Sequence, residues 1–279
     1  MLLKEGGFIL SEEYIFNKDD LPNSGIMVSD TGEIIKPHYP IFPICTTIDK
    51  NTGEMNLLGT GFFITGEGLF VTAKHVVLEN FLEQPFRPHE NLAAVFFMEN
   101  NHYLVRSTTK IVVNHVADLA FGLLASYTDN QTGQILRNKR CILDISEVGI
   151  GDMVATCAYP KSKFFFIDNK NIASFNTNYE LGKITQMFPN GRDRRLLPGP
   201  CYETNMIIKG GASGGPVFNK KGKVIGVNST GIEGTDISFV SRIHEVLSMW
   251  LPEVIIGNQK VEKLTVYEMY KRGIVELST

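Results

Sequence analysis

Ser213 sits in the run Lys209–Phe218, K-G-G-A-S-G-G-P-V-F, with two glycines before Ala212, two directly after the serine and then a proline. A serine hydroxyl is a poor nucleophile on its own. It needs a base to take its proton, backbone N–H groups facing the oxyanion it creates, and open space for a substrate. Glycines meet the last two needs, because they accept positive φ and let amide N–H groups turn toward a bound carbonyl. The same run also suits an ordinary Gly-rich turn between strands, so the base decides the matter. Among the six histidines, His75 has the most informative surroundings. Gly59–Val77 reads G-T-G-F-F-I-T-G-E-G-L-F-V-T-A-K-H-V-V, two strand-like runs joined by Gly66-Glu67-Gly68. Further on, Val116–Leu124 reads V-A-D-L-A-F-G-L-L and places Asp118 at the mouth of an apolar strand, where a buried carboxylate is unfavourable without a partner.

These three segments resemble, in order, the T-A-x-H, D-[IL]-A and G-x-S-G-G-P signatures of the trypsin-like (chymotrypsin-fold) serine peptidases. The intervals of 43 residues from His75 to Asp118 and 95 from Asp118 to Ser213 also resemble those of that family. The likeness covers roughly residues 40–250 and is similar to the protease domain of the bacterial HtrA-like branch, without a PDZ-like segment after it. It implies a serine endopeptidase acting on polypeptides through an acyl-enzyme. His75 would take the Ser213 proton, Asp118 would hold the histidine tautomer, and the N–H groups of Gly211 and Ser213 would form the oxyanion hole. It also places the base of the specificity pocket six residues before the serine, at Ile207, one wall at Ser229, Thr230 and Gly231, and another near Ile237. Ile207 offers no charge for Arg or Lys, so small or medium apolar side chains are expected before the cut bond; Asp236 swinging into the pocket is the rival reading. Ala212 stands where zymogen members carry the aspartate that pairs with a new N-terminus, so activation by N-terminal cleavage is not expected.

Other readings compete with this one. A protease-fold binding module without turnover, or a protease switched on by a partner, would use the same barrels. An esterase of the α/β-hydrolase type carries its acid and histidine after the serine, the reverse of the order here. His115, three residues before Asp118, is a rival base but lacks the T-A-x-H context.

The elements that must position these residues read as an all-β chain: two six-stranded antiparallel β-barrels, a C-terminal helix and short extensions at both ends. Residues 1–39 form the N-terminal extension, with short strands expected near Phe8–Leu10, Tyr14–Phe16 and Ile26–Val28. Residues 40–140 make the first barrel, with strands at Ile41–Thr47, Leu57–Thr65, Leu69–Thr72, Ala93–Met98, Tyr103–Ser107, Lys110–Val113 and Leu119–Leu124, and a short helix at Val76–Phe81. The polar stretch Asp129–Arg140 bridges the barrels. Residues 141–252 make the second, with strands at Met153–Ala158, Phe164–Ile167, Leu181–Met187, Met206–Ile208, Pro216–Phe218, Lys223–Val227 and Ile237–Val240. Helical spacing at Ile243, Val246, Leu247 and Trp250 predicts a helix over Ser241–Leu251 that Pro252 stops. In residues 253–279, Thr265 and Glu268 form a capping box, Val266, Met269 and Tyr270 one apolar face, and Gly273 a stop, which predicts a helix docked on the barrel.

A chain of 279 residues can bury one large core or two modest ones. Its net charge of −3 gives no case for nucleic acid or an anionic membrane, and no apolar stretch is long enough to span a bilayer. The cluster Arg192-Asp193-Arg194-Arg195 reads as a solvated loop. Cys45, Cys141, Cys157 and Cys201 are scattered, and none matches by position the disulfides that bracket these motifs in secreted trypsin relatives, so a reduced, cytoplasmic, bacterial protein is expected, with a disulfide between two of the four as the alternative. No pair of histidines or cysteines has metal-ligand spacing, and no cofactor is expected. The expected partner is a polypeptide substrate, with a protein activator or a homo-oligomer left open.

Overall fold

The computed structural model describes residues 40–49, 54–79, 87–97, 103–126, 137–160, 177–256 and 259–279, the strand segments 9–11, 14–15, 27–28, 34–35, 163–167 and 170–174, and positions 82, 128, 133, 135 and 162. Near the N-terminus four short strands, β1 (Ile9–Ser11), β2 (Tyr14–Ile15), β3 (Met27–Val28) and β4 (Ile34–Ile35), pair in sequence order.

The first barrel is built from β5 (Ile41–Asp49), β6 (Glu54–Phe63), β7 (Leu69–Thr72), β8 (Leu92–Phe97), β9 (Tyr103–Val113) and β10 (Ala120–Leu124), closed in the order β10-β7-β6-β5-β8-β9. Closure leaves no free strand edge and turns alternate side chains inward. Phe42 fills the interior against Phe63, Phe70 and Phe96, with ring centroids 4.6, 5.5 and 5.2 Å away. The buried Arg106 lies over the Phe96 and Phe63 rings at 5.6 and 5.9 Å. Its guanidinium donates to Ala125 O and Asn138 Oδ1, which ties the segment between the barrels to the first of them. The helix expected at Val76–Phe81 is a single turn, α1 (Lys74–Val77), and the backbone is extended again at Leu78.

The second barrel contains β12 (Met153–Ala158), β15 (Asn178–Phe188), β16 (Cys201–Thr204), β17 (Pro216–Phe218), β18 (Val224–Gly231) and β19 (Ser238–Arg242), closed in the order β17-β12-β15-β16-β19-β18 by the β17–β18 pairing. Val154, Ile184, Tyr202, Met206, Val217, Ile225 and Val240 are buried together inside it. The hairpin of β13 (Lys163–Ile167) and β14 (Lys170–Ser174) lies between β12 and β15 in the chain. β11 (Leu143–Asp144) runs parallel to β18, and the C-terminal β22 (Leu277–Ser278) runs parallel to β11.

Two expectations for this barrel are corrected. The strand expected at Met206–Ile208 ends instead at Thr204: the Asn205 N–H still reaches Lys183 O, but the Lys183 N–H returns to the Asn205 side chain rather than to its carbonyl, and the ladder goes no further. Met206 then turns into the core while Ile207 is left exposed. The helix expected over Ser241–Leu251 is one turn of 3-10 helix, Ile243–Val246. Ser241 is held in β19 between Cys201 and Val227, and from Trp250 the chain enters a hairpin of β20 (Trp250–Ile256) and β21 (Gln259–Thr265), so Pro252 lies within a strand rather than stopping a helix. The apolar period of Ile243 and Val246 is satisfied by burial over that single turn.

After β21 comes α2 (Val266–Lys271), with the capping box complete: Thr265 Oγ1 accepts the Glu268 N–H at 3.1 Å, and the Glu268 carboxylate accepts the Thr265 N–H at 2.8 Å. Gly273, at φ +70°, closes it. Val266, Met269 and Val275 are buried in the same cluster as Ile41, Phe42 and Phe218, so this helix docks on the barrels. No helix among the described residues is long and apolar enough to cross a membrane. All four cysteines are free and buried, and burial raises their thiol pKa values, Cys201 to about 11 and Cys157 to about 12, which leaves them unreactive.

Candidate active site

Asp118 follows a loop whose shape is set by Asn114. The Asn114 Oδ1 accepts the N–H groups of Val116 and Ala117, both at 2.9 Å, and its backbone N–H donates to Leu119 O. Lys74, buried beside His75, donates from Nζ to the Asn114 carbonyl at 3.3 Å. The loop delivers Asp118 to a position only 4% exposed, where its carboxylate accepts three hydrogen bonds: from the His75 backbone N–H to Oδ1 at 3.1 Å, from His75 Nδ1 to Oδ2 at 2.9 Å, and from the Ser229 hydroxyl to Oδ2. A carboxylate only accepts, so Nδ1 carries the proton, and in the neutral ring Nε2 is the unprotonated nitrogen that can act as a base.

Electrostatics reinforce this pairing. Burial works against the charged form of His75, but the Asp118 charge and hydrogen bond outweigh it and hold the pKa above the ordinary 6.5. Burial likewise opposes ionisation of Asp118, and the His75 charge with the hydrogen bonds from His75 and Ser229 outweighs it, so the carboxyl lies below its usual range.

Ser213 is supplied by the second barrel, in the turn that enters β17. Its hydroxyl donates to Ser229 O at 3.2 Å, so Ser229 stands between the two halves, its side chain on Asp118 and its carbonyl on Ser213. Around the serine the backbone donors divide. The N–H groups of Ala212, Gly214 and Gly215 bond to Lys209 O, Asn228 O and Ala212 O, whereas those of Gly210, Gly211 and Ser213 are spent on no backbone carbonyl among the described residues. Positive φ at Gly211 (+91°) and Gly214 (+85°) produces this pattern. Gly214 has a second reason to be glycine: a Cβ there would lie 2.1 Å from Thr72 Oγ1 and 2.2 Å from Thr60 O. Gly214→Ala therefore combines a left-handed residue with a backbone clash, and a loss of about 3–5 kcal/mol in unfolding free energy is expected by denaturant titration.

His75, Asp118 and Ser213 line one cleft of about 670 Å³, together with Ile207, Ser229, Thr230 and Gly231 from the expected set. Leu196, Ile208, Lys209, Gly210 and Ile232–Thr235 complete the lining. Ile207 is half exposed on this wall rather than sealed at the base of a pocket. Ile237 lies outside the lining and packs with Leu197, Cys201 and Phe239. Asp236 is exposed and also outside it. Of the other histidines, His115 is exposed and off the cleft, His89 donates its N–H to Val77 O, and His244 Nε2 bonds to Ile145 O; His38 and His102 lie outside the described residues. No group of side chains among the described residues could hold a metal ion.

The side chain of Ser229 on Asp118 is the contact that sequence reasoning missed, having assigned this residue only a backbone role. A hydroxyl residue placed 16 positions after Ser213, at the end of an apolar strand, was the available signal.

Comparison with known proteins agrees with this geometry. The sequence pattern of the trypsin-like peptidase domain matches residues 59–227. Over 217 residues the chain is 25% identical to the uncharacterized protein y4bJ of Sinorhizobium fredii (strain NBRC 101917 / NGR234), a match covering 75% of this chain and 29% of that protein's length. Among solved structures, the active form of the Rv3671c protease from M. tuberculosis is similar over 75% of this chain and 78% of its own, at 17% identity and a TM-score of 0.50, a likeness of fold. A serine endoprotease from Yersinia pestis is similar over 74% of this chain and 60% of its own, at 17% identity and a TM-score of 0.49.

Proposed function

Because this chain belongs to the trypsin-like peptidase domain family, we propose that it is a serine endopeptidase in which Ser213, His75 and Asp118 are the catalytic residues. The observation that carries this reading is the His75 Nδ1–Asp118 contact at 2.9 Å in the same cleft as Ser213. In the reaction, the Ser213 hydroxyl leaves the Ser229 carbonyl and donates to His75 Nε2. As Oγ attacks the substrate carbonyl, Nε2 takes the proton and Asp118 stabilises the imidazolium. The N–H groups of Gly211 and Ser213 receive the oxyanion. When the C–N bond breaks, the imidazolium gives its proton to the leaving amine, and the acyl group stays on Oγ. Water then repeats the sequence, losing its proton to His75 and releasing the acid and free serine.

The substrate is a polypeptide laid along Ser229, Thr230 and Gly231, the end of β18 beyond its pairing with β17. The side chain before the cut bond meets Ile207 and Ile208. Leu196, Ile207 and Ile232 are large apolar residues exposed on this one cleft, which supports small or medium apolar preference. Such walls separate neighbouring sizes by only about 1–3 kcal/mol per methylene. Profiling with a peptide library should therefore give cleavage after Val, Ala or Leu with little discrimination among them. Dominant cleavage after Arg or Lys would overturn that assignment.

The direct test of activity is a fluorophosphonate probe followed by peptide mapping. Label on Ser213 and hydrolysis of unstructured polypeptide are expected; a folded protein that takes no label would favour a catalytically silent binding module, and label only with a partner present would favour partner activation. Four buried free thiols support a reduced, cytoplasmic setting.

A further inference from the structure

We propose that Thr60 is a positioning residue for the oxyanion hole, reaching across from the first barrel to hold the Ser213 loop of the second. Thr60 is on β6, fully buried, and all of its polar groups are engaged across the barrel boundary or within it. Its backbone N–H donates to Ser213 O at 2.8 Å. Its hydroxyl donates to Gly211 O at 2.8 Å and accepts the Tyr159 N–H at 3.1 Å. Its own carbonyl accepts the Thr72 hydroxyl at 2.7 Å, which anchors it to β7.

The consequence lies in which peptide groups are left over. Gly211 O and Ser213 O are both pinned to Thr60, while the N–H groups of the same two residues are spent on no backbone carbonyl among the described residues. Pinning the Gly211 carbonyl fixes the peptide that follows Gly211 and so the position of its Cα, from which φ of +91° directs the preceding peptide with the Gly211 N–H. Little else restrains it on the outer side, since a Cβ at Gly210 would meet nothing within 4 Å. A shift of the Gly211 Cα would misplace that oxyanion donor, and the Thr60 hydroxyl anchors this Cα through the carbonyl next to it. Because that hydroxyl also binds Tyr159 N, the same contact sets the loop against β12.

This inference rests on the peptidase reading, since it assigns Thr60 to the same reaction. Thr60→Val keeps the shape and removes the hydroxyl; Thr60→Ser keeps the hydroxyl and removes the methyl. The rate constant is measured per active site, with sites counted by fluorophosphonate titration, so a variant that merely folds less well loses sites without losing kcat. Thr60→Val is expected to lower kcat per site by about 10- to 100-fold with KM within about threefold of wild type, a transition-state-only loss, and Thr60→Ser to stay within about threefold in both. Should Thr60→Val not fold, Thr60→Ala carries the same expectation. Full kcat per site in the variant lacking the hydroxyl, or a Thr60→Ser as slow as Thr60→Val, overturns the positioning role while leaving the peptidase reading intact. A wild-type protein that neither hydrolyses peptide nor takes the label overturns both.

Discussion

Ser213→Ala should reduce peptide hydrolysis by about 10⁴- to 10⁶-fold, equivalent to ~5–8 kcal/mol of transition-state stabilisation, and abolish fluorophosphonate labelling. The fold should be unaffected. Among the described residues the Ser213 hydroxyl bonds to Ser229 O at 3.2 Å, and losing a single neutral bond of that kind changes stability by about 1 kcal/mol or less. A melt within a few degrees of wild type, paired with lost turnover, is the expected result. Undiminished turnover by Ser213→Ala would remove Ser213 from the mechanism. His75→Ala should match it, because nucleophile and base act as one unit.

Asp118→Asn should cost about 10⁴-fold in kcat for a different reason. An asparagine amide presents an N–H₂ as readily as an oxygen to Nδ1. Meeting Nδ1 with a donor forces the ring proton onto Nε2, where it cannot receive the Ser213 proton. The pH dependence reports the charge separately. Turnover needs neutral His75, so kcat/KM falls as pH drops through the His75 pKa. Asp118 raises that pKa, which puts the acid limb of wild type above the ordinary 6.5. In Asp118→Asn the attraction is gone while burial still disfavours the imidazolium, so the residual activity should have its acid limb at lower pH. An unmoved limb would mean that Asp118 does not supply the field on His75.

Much of this site was legible because its parts are local in sequence. The turn glycines around Ser213 and the strand-turn-strand before His75 are written in runs of ten to twenty residues, and local strand signals marked eleven of the twelve barrel strands, β9 as two pieces and β16 not at all. What was not legible depends on neighbours far away in the chain. Asn205 ends a strand by bonding across to Lys183, against the apolar run Met206–Ile208 that favoured continuing it. The spacing of Ile243, Val246, Leu247 and Trp250 suits a helix, yet Ser241 is committed to strands at Cys201 and Val227, and Trp250 opens a hairpin with Thr265. The side-chain partners of Thr60 and Ser229 were not legible from their local sequence, because those partners lie 151 and 111 residues away.

The cluster that joins the barrels draws on Ile41 near one end of the chain and on Met269 and Val275 near the other. During synthesis, then, the apolar surfaces of the barrels cannot be fully covered until residue 275 has emerged, well after His75, Asp118 and Ser213 have all been made. The three proposed catalytic groups are therefore all present in the growing chain before α2 and Val275 can complete the core that joins the two barrels.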